Sequence, residues 1–322
     1  MSNKLFVAPS PHQHSGESSS RIMMDVSLAL LPAFALSIVV FGLPALYVTL
    51  TSIVSCVLFE FLIQKYLVKG EPTVGNFSAL LTGLLLGFNL PSSIPLWIVV
   101  IGAFVSIAIA KMTFGGIGKN PFNPALVGRV FLLIAYPVQM TSFPEVSSAV
   151  DIFSGATPLA AMKSGSLSVG SINYTDMLMG SIPGSLGEVS ALLLLLGGVY
   201  LLWRKVISWH IPVAMLLTMA LVALIVGAAS GLKGAEIVEF PLFHLLAGGA
   251  ILGAVYMATD YVTSPMTHKG MIIYGVGIGL ITMSIRLWGA YPEGVSFAIL
   301  VMNACVPLIN KYVKPKRFGV KR

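Results

Sequence analysis

Charge is scarce in this chain: Asp and Glu number 12 and Lys and Arg 19 among 322 residues, so charged residues make up 10% of the sequence. A soluble domain carries about 25%, and a water-facing surface of ordinary extent is excluded. Cysteine is nearly absent, with Cys56 and Cys305 both inside apolar stretches. Two thiols cannot ligate a four-thiolate iron–sulfur cluster within one chain, and a structural disulfide does not belong at such depth. Histidine is sparse too, and the close pair His12 and His14 has no third ligand nearby. That pair predicts a solvated or membrane-surface segment and no metal site. Residues 1–24 are polar, so no cleavable signal is expected.

What is present is apolar surface, at 56% of residues. This composition belongs to polytopic membrane proteins, in which length counts helices. The expected fold is all-α, with about ten membrane segments. They cover 26–42, 44–64, 76–90, 95–112, 124–137, 189–203, 211–230, 243–259, 271–287 and 295–311. The runs 76–90 and 124–137 are short of the roughly 20 residues of a full crossing, which predicts tilted, broken or re-entrant helices.

The net charge of +7 would suit nucleic acid, but the basic residues are dispersed between apolar runs and bunched at the C-terminus. Membrane topology accounts for them better, and no nucleic-acid partner is expected. With the N-terminus inside, the cytoplasm receives Lys65, Lys69, Lys111, Lys119, Arg204, Lys205, Lys269 and the cluster from Lys311 to Arg322; the outside receives Lys163, Lys233 and Arg286. Both termini are therefore expected in the cytoplasm.

The break at 138–188 divides the segments into a first repeat at 26–137 and a second at 189–311, flanked by an N-terminal segment 1–25 and a basic tail 312–322. Gly83 to Gly87 with the link Asn89 to Pro95 echoes Gly249 to Gly253 with Thr259 to Pro265. If these halves are a duplication, an odd helix count per half inverts the second copy in the membrane. The paired glycines equally predict close helix contacts. Gly115 to Gly118 predicts a turn between spans, because a nucleotide loop would need a strand before it. Asn120, Asn123 and Pro124 are expected at the interface of the halves. Arg129, Glu60, His244 and Asp260 lie in or beside apolar runs, where ionisable groups are ion-path candidates by default. Their bland alternatives are snorkelling for Arg129, interfacial placement for His244 and Asp260, and a helix end near Lys65 for Glu60.

Within the 138–188 break stands Asp151-Ile-Phe-Ser154-Gly155-Ala156-Thr157. It resembles the sequence recognised by FMN transferases, which join the phosphate of FMN to the hydroxyl of the final Thr. The resemblance implies covalent FMN on Thr157, with Asp151, Ser154, Gly155 and Ala156 as the attachment motif. An acceptor hydroxyl must be reachable, so Thr157 is expected on an exposed loop, with clearance from the small residues before it. Pro158 biases Thr157 towards extended backbone.

The resemblance then widens. Ser10-Pro-His12 with Ile22 to Val26, the turn from Gly115 to Ala125, Ser154 to Pro158, and Met257 to Asp260 through Lys269-Gly270 together resemble the D subunit of Rnf-type ion-translocating oxidoreductases, over nearly the whole chain. A related family is the B subunit of the sodium-pumping NADH:quinone oxidoreductase, which usually has a longer N-terminal region. The resemblance implies a translocase subunit in the bacterial inner membrane. The placement of the flavin loop outside follows from the Lys and Arg asymmetry, not from the resemblance. The resemblance implies electron transfer between ferredoxin and NAD coupled to sodium or proton transport, acting only within the complex. Its partners would be the other Rnf subunits, the FMN transferase and membrane lipid. It also implies a non-covalent riboflavin, which no motif places. A channel or transporter of the same architecture, or a scaffold, is the alternative, and neither needs a flavin acceptor.

Overall fold

In the computed structural model, residues 18–70, 73–144, 154–155, 157–166, 173–180 and 184–315 are described. The apolar runs fold as helices: α1 (Ser19–Phe41), α2 (Leu43–Val68), α3 (Ser78–Phe88), α4 (Leu96–Phe114) and α5 (Pro124–Ala135) in the first half. Between the halves lie the short helices α6 (Pro137–Thr141), α7 (Pro158–Lys163) and α8 (Tyr174–Met179). The second half holds α9 (Ala191–Trp203), α10 (His210–Ala229), α11 (Glu236–Leu246), α12 (Ala250–Met257), α13 (His268–Trp288) and α14 (Val295–Tyr312). A two-residue pairing of β1 (Phe143–Pro144) with β2 (Ser154–Gly155) is the strand structure among the described residues.

The chain is an all-α polytopic membrane protein. Among the described residues six helices are long and apolar enough to cross a membrane, and seven if α11 and α12, bent by 59°, count as one span. Ten crossings were expected. The difference falls on α3, α5 and α9, which are apolar but too short. α1 starts at Ser19, inside the segment expected to precede the membrane, because the Ser18 hydroxyl caps the Arg21 amide. Large apolar side chains such as Val39, Val54, Leu217 and Ile225 stand exposed on the long helices. Lipid is the medium that covers such a belt.

Buried contacts cross between the halves. α1 packs on α9 and α5 on α14. Gly197 lets α9 approach α1: a Cβ there would sit 2.4 Å from the Ala29 carbonyl oxygen. Arg204 donates to Asp25 at 3.0 Å across the same seam. The paired glycines of the first half act as close contacts, since a Cβ at Gly83 would lie 2.6 Å from Ile53 Cα on α2. Gly249 instead has φ +62, so it belongs to the break between α11 and α12. Gly115, Gly116 and Gly118 all have positive φ and form the expected turn. Asn123 caps α5 and donates to the Met257 carbonyl at 3.2 Å, which seats it between the two halves as expected.

Candidate functional site

Thr157 lies where three local devices converge. The β1–β2 pairing fixes the chain just before it, Pro158 opens α7, and the Thr157 backbone is extended at φ −59, ψ 151 as Pro158 requires. Its Oγ1 caps α7 by accepting from the Ala160 amide at 3.3 Å. α7 is short, so tertiary contacts must hold it. Leu159 is buried with Met177, Phe243 and Ala247, against the bend between α11 and α12. At the far end, Lys163 donates to the carbonyls of Gly289 and Tyr291.

The exposed acceptor loop is therefore corrected. Thr157 is only 5% exposed, because α7 docks and turns its cap residue inward. It faces a cavity of about 160 Å³ shared with Asn89, Arg129, Phe143, Tyr291 and Glu293. The Tyr291 ring stacks on Phe297, with centroids 5.3 Å apart. Gly155 lies in β2, whereas Asp151 and Ala156 lie outside the described residues, as do His12 and His14. For Ser154 the backbone alone is described, also in β2.

Arg129 does not snorkel. It is 7% exposed and donates to Ser296 Oγ at 2.5 Å and to Glu293, tying α5 to the start of α14. Two further charges belong to this end of the molecule. Arg286 is buried and donates to the carbonyls of His244, Ala247 and Gly248, so it caps α11 at its break. It is thus a structural cation and not an outer loop charge. Glu188, in the loop ahead of α9, accepts from Ser185 at 2.9 Å. Burial first, then repulsion from Glu293, pushes its carboxyl up to about 8, against the attraction of Arg129 and Arg286.

A carboxyl raised in the folded state is neutral there, so its share of stability is complete below the ordinary carboxylate range and is lost as pH rises through the raised value. The purified protein in detergent should therefore lose thermal stability as pH goes from about 4.5 to about 8, and Glu188→Gln should remove part of that loss. Identical pH profiles for the two proteins would contradict the assignment.

Of the other ion-path candidates, Glu60 is placed differently from expectation. Glu60 is 1% exposed and pairs with Lys111 at 2.5 Å, not with Lys65, whose ammonium lies over the Phe61 and Tyr66 rings. Lys111 also donates to Ser78 at 2.6 Å, while Gln64 and Thr73 donate to the other Glu60 oxygen. His244 is buried; it packs against Phe240 and Phe243, and neither ring nitrogen has a hydrogen-bond partner. Asp260 accepts from Thr263 at 3.0 Å beside a second cleft of about 80 Å³, lined also by Lys111, Asn120, Asn123 and Tyr256. This cleft lies toward the N-terminal ends of α3 and α5, whereas the Thr157 cavity meets the end of α3 at Asn89 and the later turns of α5 at Arg129 and Leu133. The last turns of α2, α4 and α12 widen into π-helical geometry near it, a distortion common at functional sites.

Glu293, Tyr291, Glu188 and Lys163 were not singled out from sequence. A carboxylate in the short Tyr291-Pro-Glu-Gly turn between two apolar runs was the one available signal for the first two.

Comparison with known proteins agrees over the whole length. The model of the NQR2, RnfD, RnfE family matches residues 6–319. The chain is 47% identical to the D subunit of the Na(+)-translocating ferredoxin:NAD(+) oxidoreductase complex of Acetobacterium woodii, covering 99% of this chain and 96% of that protein. It is 44% identical to the proton-translocating counterpart of Clostridium ljungdahlii, covering 99% and 98%. It is 39% identical to the D subunit of the ion-translocating oxidoreductase complex of Escherichia coli K12, covering 98% and 99%. The chain thus belongs to the NQR2, RnfD, RnfE family, and these relatives within it are D subunits of ion-translocating oxidoreductase complexes.

Proposed function

We propose that this chain is the membrane D subunit of an Rnf-type complex, carrying FMN as a phosphoester on Thr157 and passing electrons between ferredoxin and NAD in step with ion transport. The observation that carries the flavin assignment is the joint placement of the motif's final Thr, an aromatic surface and a cation around one cavity. Arg129 supplies donors for ring carbonyl groups, Asn89, whose amide nitrogen donates to the Leu85 carbonyl and the Met257 sulfur, leaves its oxygen to accept from a ring N–H, and Tyr291 and Phe143 supply stacking surface. Bound flavin supplies one- or two-electron chemistry, while the protein fixes its position and electronics. The buried acceptor has a consequence for assembly. The transferase must reach Thr157 before α7 docks, or in a form with α7 lifted away.

A non-covalent riboflavin belongs to the same proposal, and the cleft beside Asp260 is a candidate place for it. The membrane is the bacterial inner membrane, with ten apolar helices in two inverted five-helix halves and both termini in the cytoplasm. Burial of Lys111 and Arg286 removes one cation from each side, and the Lys and Arg excess on the cytoplasmic side persists.

Mass spectrometry of the peptide containing Thr157, from cells co-expressing the FMN transferase, is the direct test. The expected result is an FMN adduct, seen also as a flavin-fluorescent band after denaturing electrophoresis. An unmodified Thr157 would overturn the flavin assignment. For topology, Ser166 is exposed just beyond α7. Ser166→Cys should react with a membrane-impermeant thiol reagent in intact cells or spheroplasts. Labelling confined to inside-out vesicles would reverse the orientation.

A further inference from the structure

We propose that Arg129 is the cation that balances the negative charge gained by the flavin ring on reduction in the Thr157 cavity, with Glu293 as its opposing partner. The inference rests on the flavin assignment of the preceding section. Among the described residues, Arg129 and Glu293 are the charged pair of the cavity wall. A guanidinium buried at this depth is costly unless it serves packing, pairing or a ligand. Its Nη1 and Nη2 each donate one bond, to Ser296 and Glu293. A guanidinium has five N–H groups in a planar fork, so donors remain for a planar acceptor edge such as a flavin N1 and its neighbouring carbonyl. The low-dielectric wall strengthens the attraction.

The balance is simple. A one-electron carrier of the complex gives one electron to the ring, and no proton need follow, because the positive charge already stands beside it. Glu293 opposes this effect. It neutralises Arg129 and places a negative charge on the same wall, so the two residues should pull the flavin potential in opposite directions. Glu188 and Arg286 act on the same pair from behind, as the electrostatic influence of Glu293 and Arg129 on Glu188 indicates. Lys163 is tied to the Gly289 and Tyr291 carbonyls on α7's far end.

A purely structural tie between α5 and α14 makes a different prediction. Breaking it from either side would loosen the same contact, so both variants would shift the potential alike or not at all. The test is a dithionite redox titration of the covalent flavin in the purified complex, with covalent loading first verified by mass. Arg129→Gln should lower the preference for the reduced form tenfold or more, which is about 59 mV for a one-electron step. Glu293→Gln should shift it the other way, and Arg129→Lys should retain most of the wild-type value by keeping the charge. An unchanged potential in fully loaded Arg129→Gln, or shifts of the same sign in the Arg129→Gln and Glu293→Gln variants, would overturn the proposal and leave the flavin assignment standing. If Arg129→Gln fails to assemble, Glu293→Gln alone decides by the sign of its shift. Wild-type protein without flavin on Thr157 would remove both.

Discussion

The complex carrying Thr157→Asn should assemble in the membrane, hold no flavin on this subunit, and lose most ferredoxin-linked NAD reduction and ion uptake together. Two separate roles of Thr157 make Asn the informative substitution. Its hydroxyl is the proposed phosphoester oxygen, and the same oxygen caps α7 through the Ala160 amide. Removing a cap costs about 1 kcal/mol, enough to loosen a short helix. Thr157→Ala therefore removes flavin and cap at once. Asn is among the best capping residues and has no hydroxyl, so it removes the flavin while keeping α7 capped. α7 stays anchored by Leu159 and Lys163 in either variant. Redox cofactors act as a chain, so deleting one leaves a gap that electrons cannot cross at useful rates. Assembly is checked first by copurification of the other subunits. A flavin-free, assembled Thr157→Asn complex with normal electron transfer would make this flavin peripheral, and a scaffolding role would then fit the chain better.

Sequence reading reached the architecture because hydropathy is written locally. Each expected apolar run contains helix, and the Gly115 to Gly118 turn and the extended backbone before Pro158 follow from rules that act over a few residues. It failed where a side chain's surroundings are chosen by tertiary contacts. Glu60 was assigned a neighbour in sequence, Lys65, but pairs with Lys111 on α4. Arg129 finds Glu293 across the seam between the halves. Thr157 was placed on the surface because its loop is rich in small polar residues; the docking of Leu159 against the α11–α12 bend, which buries it, has no local signature. The shortness of α3 and α5 was legible in their runs, whereas the run of α9 was not singled out and also lacks the length to cross alone.

The largest stability effect is expected at the ion pair that sequence missed. Lys111 is 3% exposed and Glu60 1%, so neither charge has water to fall back on. A buried pair of this kind gains little over apolar residues of the same volume, but removing one partner is strongly unfavourable, by about 3–5 kcal/mol, because the other charge is left buried. Lys111→Met, which keeps most of the length of the stem, should thus lower the apparent stability of the protein in detergent by about that amount. Glu60→Gln in the same chain should recover most of it. The Gln amide carries no charge, and its carbonyl still accepts from Gln64 and Thr73, whose bonds to Glu60 survive the exchange. Glu60→Gln alone should be damaging as well, since it strands the Lys111 ammonium between Ser78 and a neutral amide. A double-mutant cycle on thermal unfolding separates the pair term from the rest. Additive losses in the double variant, with no recovery, would show that the charges are not coupled and that Lys111 matters through packing.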